Sequence, residues 1–405
     1  MKKVKSCKYY NIVFLFLGLI VFSPVSSFLS MKILHLPLAL PELFFLPFFI
    51  LLREKIKSIK IPSNAIVNVT FLFMLLLSFA LISASFSLFA ILSNARAWLY
   101  LLLAFCLFRN DNNITYDDFL YLAFGAIIGW AIICLVNINN FIHGGSYKIT
   151  ITYGLMLSLP LFYSITIFKH KKRMLLVGIV LTIVIIVFCG TRRVILVAAL
   201  SVVASVLILG MLKIKSLLRY TLIGIVLVFT ISAVMPIIEN TVKEISPHLY
   251  FRLFTRTEAL INEGIDASQD TERFNILSST YDEMEKSFLP KGFISMQTDT
   301  DDNVGHYNDY PLTMLFWIFS WPIGIIILFY LIKITSKNIK IAIKTKEEPP
   351  FVCAVCIIII ILLLFLDGSF ITYAYATPIT GALLGMAIKN ANKKKYNYHK
   401  TAFGE

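Results

Sequence analysis

Charge is scarce in this sequence, and acidic charge is scarcest. Only 15% of the 405 residues are charged, where soluble domains carry about a quarter, so an ordinary water-soluble globule is excluded. Of the 23 acidic residues, 14 lie in one segment, 239–310, and the remainder of the chain is left strongly basic. Cysteine is sparse too. The six thiols sit in or next to apolar runs, and segment 239–310 has none, which excludes a disulfide scaffold there. Cys353 and Cys356 form a CxxC, but inside an apolar run they read as small core residues rather than a redox or metal pair. No nucleotide-binding P-loop, dinucleotide fingerprint or HExxH metalloprotease motif occurs, so the chain draws its energy from its substrate or from a gradient. Short alternating segments are missing as well, which excludes a β-barrel.

What is present is apolar. Hydrophobic residues make up 58% of the chain, 34 of them Phe. Runs of 17 to 22 apolar residues recur from end to end, each long enough to cross a hydrocarbon core about 30 Å thick. Without water there, such runs form helices that satisfy their own backbone groups. The expected fold is an all-α polytopic membrane protein of about twelve transmembrane helices. The spans read as 9–30, 37–52, 64–83, 86–108, 118–137, 150–168, 174–189, 194–211, 219–238, 311–332, 351–366 and 371–388. The chain thus divides into a first membrane domain over residues 1–238, a large loop over 239–310, a second membrane domain over 311–388 and a basic tail over 389–405. The first run has a basic start and Ser23-Pro24-Val25-Ser26-Ser27 behind it, like a signal peptide, but its full spanning length reads as a retained span.

Basic residues orient the chain. With the N-terminus in the cytoplasm and sides alternating, 26 of the 37 Lys and Arg fall in cytoplasmic segments and ten outside, six of these in the large loop. That is the positive-inside pattern for an even number of spans, with both ends in the cytoplasm and the large loop in the periplasm. The net charge of +14 is therefore a signal of topology and lipid surface, and nucleic acid is not an expected partner. Lys393-Lys394-Lys395 reads as a stop-transfer flank.

The loop has 14 acidic and 6 basic residues, and loops of this length are commonly functional. Residues 249–261 and 271–288 read as amphipathic helices. In the second, Phe274, Leu277, Tyr281, Met284 and Phe288 recur at helical spacing, before Leu289-Pro290-Lys291-Gly292-Phe293 breaks the pattern.

Four places carry candidate chemistry. Gly190-Thr191-Arg192-Arg193 is a short outer turn whose two arginines break the positive-inside pattern. Their planar forks suit phosphate or carboxylate oxygens, and the alternative is a pair of interfacial anchors. Arg96 lies about ten residues inside the fourth span, where an ion marks a functional or water-filled site unless the span edge lies nearer. Arg273 opens the second loop helix. Gly305-His306-Tyr307-Asn308-Asp309-Tyr310 precedes the tenth span, and His306 is suited to proton exchange near neutral pH or is simply solvated. Asp299, Asp301 and Asp302 look like a metal clamp but read as a flexible acidic loop; no metal site and no cofactor is expected.

Taken together, about twelve spans, a large outer loop between the ninth and tenth, and an arginine pair in an outer turn resemble the bacterial O-antigen polymerase (Wzy) and O-antigen ligase superfamily. The local pieces are Gly190-Thr191-Arg192-Arg193, Arg273 with a helix leading to Pro290-Lys291-Gly292-Phe293, and Tyr307-Asn308-Asp309-Tyr310 running into Trp321-Pro322-Ile323-Gly324. Ligases of the superfamily commonly carry His directly before Asn-Asp, where this chain has Tyr307, with His306 one residue earlier.

The resemblance implies a polymerase in the inner membrane that joins undecaprenyl-diphosphate-linked oligosaccharide units on the periplasmic face, a metal-independent, inverting glycosyl transfer. It implies that Arg192 or Arg193, with Arg273, binds the two diphosphates, and that His306 or a loop carboxylate takes the acceptor proton. Arg96, Asn308 and Asp309 would contact substrate. A chain-length regulator and a flippase of the same pathway are the partners it suggests, besides membrane lipids. The alternatives are a ligase that moves the finished chain to lipid A–core, and a polysaccharide-unit transporter or flippase.

Overall fold

A computed structural model of the chain describes residues 8–29, 75–78, 88–110, 114–136, 168–169, 173, 176–178, 180–181, 192–211, 239–245, 247–255, 258, 289–290, 292, 311–365 and 376–402. Among these residues the regular structure is helical and no strand occurs. The long elements are α1 (Lys8–Phe16), α2 (Leu88–Asn110), α3 (Tyr116–Val136), α4 (Arg192–Met211), α5 (Pro311–Phe319), α6 (Trp321–Thr345), α7 (Glu348–Leu364) and α8 (Thr377–Ala402). By length and composition, two of them, α3 and α6, can cross a membrane. The expected spans 37–52, 64–83, 150–168, 174–189 and 219–238 lie wholly or largely outside the described residues.

Glycines set the packing of two helix pairs. A methyl added at Gly18 would collide with the Leu122 carbonyl, one at Gly125 with the Leu15 carbonyl, and one at Gly129 with Ser23 Oγ. Gly125 and Gly129 thus form a GxxxG face on α3 that lets the first segment approach backbone to backbone. A second GxxxG, Gly381 and Gly385 on α8, meets the carbonyls of Leu101 and Phe105 on α2 in the same way. Because 381 faces 101 and 385 faces 105, α2 and α8 run in the same direction. Phe14, Phe108 and Phe119 join α1, α2 and α3 through edge contacts with centroids 6.2 and 6.4 Å apart.

The first run is not one straight helix over 9–30. It widens into a π turn at Leu17–Val21 and ends at Phe22. Ser23 Oγ donates to the Leu19 carbonyl at 2.5 Å and accepts from Val25 N–H at 3.2 Å. A short helix, Val25–Phe28, follows Pro24, whose ring cannot continue the ladder. α3 starts cleanly because Thr115 and Asp118 cap each other. Thr115 N–H and Oγ1–H donate to Asp118 Oδ2 at 2.8 and 2.9 Å, and Asp118 N–H returns to Thr115 Oγ1 at 3.4 Å. This is a capping box, and the carboxylates Asp117 and Asp118 suit the positive end of the helix dipole.

α7 opens on Glu348-Pro349-Pro350, a start that needs no N–H from proline. It is buried along nearly its whole length, packed by α4, α5, α6 and α8. Cys353 and Cys356 are fully buried in that core, as their apolar setting suggests, and Cys353 Sγ accepts from Asn390 Nδ2 at 3.6 Å.

The final elements differ from the expected spans. The tenth, read as 311–332, is two helices broken at Ser320, and the second of them runs to Thr345. The helix over the twelfth begins at Thr377 and continues without interruption to Ala402, so it runs on into the basic tail. In the loop, the helix expected over 249–261 appears as Pro247–Tyr250 running into a π turn, Phe251–Thr255. The second expected loop helix, 271–288, lies outside the described residues.

Candidate functional site

The break in the tenth span is where separate parts of the chain meet. Ser320 has φ 76° and ψ 155° and is buried. That region of backbone space belongs almost entirely to glycine and costs a side-chain-bearing residue about 1–3 kcal/mol. Such strain persists only where the surroundings hold it. Pro322 is one cause of the break, because the Ile318 carbonyl would ordinarily accept from the N–H four residues on, and proline has none.

The large loop supplies the missing donor. Gly292 N–H bonds the Ile318 carbonyl at 3.2 Å. Gly292 is buried and has φ 76°, a conformation that glycine adopts without penalty. Gly292 is thereby fastened to the end of α5, and Gly324 N–H resumes the ladder to the Ser320 carbonyl at 2.9 Å.

α2 borders the same break. The indole of Trp98 meets Phe319 edge-on, with centroids 5.3 Å apart. Trp98 is buried, and among the described residues its Nε1–H has no acceptor. A buried donor left unmade costs about 1–3 kcal/mol. Arg96 is two residues away, half-buried between buried Ala95 and Ala97. It lies in the ninth position of α2, so it is well inside the helix, as expected. Trp98 is the α2 side chain that touches the broken helix, while Arg96, two residues earlier, points about 200° away around α2.

Arg192 and Arg193 open α4, so they belong to the first helical turn rather than to a turn between spans. That first turn has no acidic residue. Two cations there oppose the positive end of the helix dipole, each at a cost of about 0.3–1 kcal/mol. α4 packs on α7. Arg273, His306, Asn308 and Asp309 lie outside the described residues.

Near the start of the loop, Tyr250 Oη donates to Glu239 at 3.1 Å, Lys243 Nζ sits 5.4 Å over its ring, and Phe254 stacks on it at 5.5 Å. The Tyr250 phenol is raised above its ordinary value, first by that hydrogen bond and then by burial and the charges of Glu239 and Glu258. Sequence reading does not single out Ser320, Trp98 or the Tyr250–Glu239 pair. Trp321-Pro322 inside an apolar run is the available signal for the first.

No family model, no curated protein and no solved structure matches the chain.

Proposed function

We propose that the chain is an integral protein of a bacterial inner membrane that crosses it about twelve times, and that it polymerises undecaprenyl-diphosphate-linked oligosaccharide units on the periplasmic face. The observation that carries this reading is the junction at Ser320, where Gly292 of the large loop is bonded to a broken helix that Trp98 of α2 touches. A polymerase of this kind needs that coincidence. Its glycan acceptor lies in water, and its leaving group is a lipid diphosphate anchored in the bilayer.

In this reading a hydroxyl at the non-reducing end of one unit attacks the sugar carbon that bears the diphosphate of the other. The carbon–oxygen bond to the diphosphate breaks, and the hydroxyl proton passes to His306 or a loop carboxylate. Negative charge builds on the leaving diphosphate, where fixed arginine donors in a partly dehydrated site contribute most. Arg192 or Arg193, with Arg273, fills that role, and Arg96 with Asn308 and Asp309 holds substrate. The linkage is already activated, so no nucleotide is required.

One observation favours a second reading. Discontinuous helices are a hallmark of secondary transporters, and the break at Ser320 fits a polysaccharide-unit flippase as well. Deleting the gene and resolving lipopolysaccharide on a gel separates the readings. Loss of a polymerase leaves core capped with a single repeat unit. Loss of a flippase or of a ligase leaves bare core, and either result rejects the polymerase.

A further inference from the structure

α6 changes character along one face. Ile326, Phe329 and Tyr330 are 64%, 67% and 50% exposed, and Lys333, Lys337, Lys340 and Lys344 are exposed as well. At about 100° per residue these seven positions share a sector about 100° wide. A single exposed stripe therefore runs from apolar and aromatic to purely basic, with Tyr330 at the junction. The whole of α6 contains no acidic residue. The opposite face, Leu331, Ile334, Thr335, Asn338 and Ala342, is buried against α7 and α8.

Two hydrogen bonds give the depth of the lysines. Asn338 Nδ2 donates to the Ala387 carbonyl of α8 at 3.0 Å. Two residues further on, Lys389 Nζ donates at 3.2 Å to the carbonyl of Ile114, which lies between the end of α2 and the start of α3. Arg109 is in the last turn of α2. Lys337 and Lys340 thus lie close to the level of Lys389 in the middle of α8 and of the basic C-terminal end of α2. The stripe from Lys333 to Lys344 is about 17 Å long, too long for every ammonium group to reach water by snorkelling from within hydrocarbon.

We infer that the Lys333–Lys337–Lys340–Lys344 face of α6 is a docking surface for the phosphate groups of anionic phospholipids in the cytoplasmic leaflet. The stripe is continuous with an exposed apolar face, and a tyrosine marks the junction, as at membrane–water boundaries. An occupant must therefore present hydrocarbon beside Ile326 and Phe329 and negative charge beside the lysines, which a phospholipid does within one molecule. The inference rests on the membrane reading and on the orientation of its basic ends, and is independent of the polymerase reading.

The test uses the full chain in nanodiscs of phosphatidylcholine with and without phosphatidylglycerol. Native mass spectrometry should show phosphatidylglycerol retained preferentially on the wild-type protein. Each lysine near an anionic surface contributes about fivefold, so Lys337→Gln with Lys340→Gln should lower that preference about 25-fold, while the paired Arg variant should keep it. Added salt should weaken wild-type retention. An unchanged preference in the Gln pair overturns the proposal. So do lysines that react equally with an aqueous amine reagent in both lipid mixtures, the outcome expected of a face reserved for a soluble partner. The repeat-unit ladder in cells decides the polymerase question separately.

Discussion

At the scale of single residues, the two arginines that open α4 work against their helix. They sit where the helix dipole is positive, with no acidic neighbour in that turn. Adjacent positions on a helix point about 100° apart, so one of the pair is expected to contact diphosphate while the other serves as an anchor. Recognition through the planar fork is not reproduced by the point charge of lysine. Lys at the critical position should therefore cut polymer formation severely, whereas Lys at its neighbour should be tolerated. Losing a bond that strengthens in the transition state costs about 2–4 kcal/mol, or roughly 30- to 1000-fold in rate. The measurement is the ladder of repeat-unit lengths in a deletion strain complemented with each Lys or Ala variant at matched expression. Full ladders from both Ala variants would reduce the pair to interfacial anchors.

At the scale of elements, the break at Ser320 and the loop end bonded to it behave as one device. Pro322 leaves the Ile318 carbonyl without a donor from its own helix, and Gly292 provides one from the loop. Gly292→Ala forces a side chain into a left-handed conformation, at about 1–2 kcal/mol. Pro322→Ala creates a competing donor within the helix. Each single variant should expose the loop to protease and shorten the polymer ladder, measured on protein that accumulates normally. Because both act on the same bond, the double variant should lose little more than either single one. Strictly additive losses would show that the two residues act separately. Much of this architecture is legible in the residues alone. The helices α2, α3 and α4 begin and end within about two residues of the expected spans, since long apolar runs leave little choice of structure. The break is not legible in the same way, because hydropathy averages over a proline and a strained serine. The full length of α6 escapes for a related reason. Its lysines end the apolar run on one face, while Ile334, Asn338 and Ala342 continue to pack on the other. Arg96 is conspicuous because an ion in an apolar helix stands out. Trp98 is not, because an unmade bond of an indole is invisible until its surroundings are known.

At the scale of the whole molecule, the packing of α2 on α8 constrains topology independently of charge. The Gly381–Leu101 and Gly385–Phe105 approaches make the two helices run in the same direction, so their C-terminal ends share a side. Lys389 reaches Ile114 at that end, and Asn338 of α6 bonds Ala387 just above it. The C-terminal end of α2 and the basic second halves of α6 and α8 therefore lie on one side of the molecule, which the proposed topology takes as cytoplasmic. Reporter fusions after Lys172, Lys215 and Lys344 should accordingly read cytoplasmic, and fusions near Lys148 and Asp282 periplasmic. The sites do not carry equal weight. Lys344 lies one short turn before α7, whose Cys353 bonds Asn390 of α8 next to Lys389, so a periplasmic reading there would contradict the packing itself. Lys215 rests on charge alone, and a periplasmic reading at that site would overturn the order of spans from the seventh onward. In that event the loop at Asp282 would move to the cytoplasmic side, away from any periplasmic lipid-linked glycan, and the polymerase reading would fall with it.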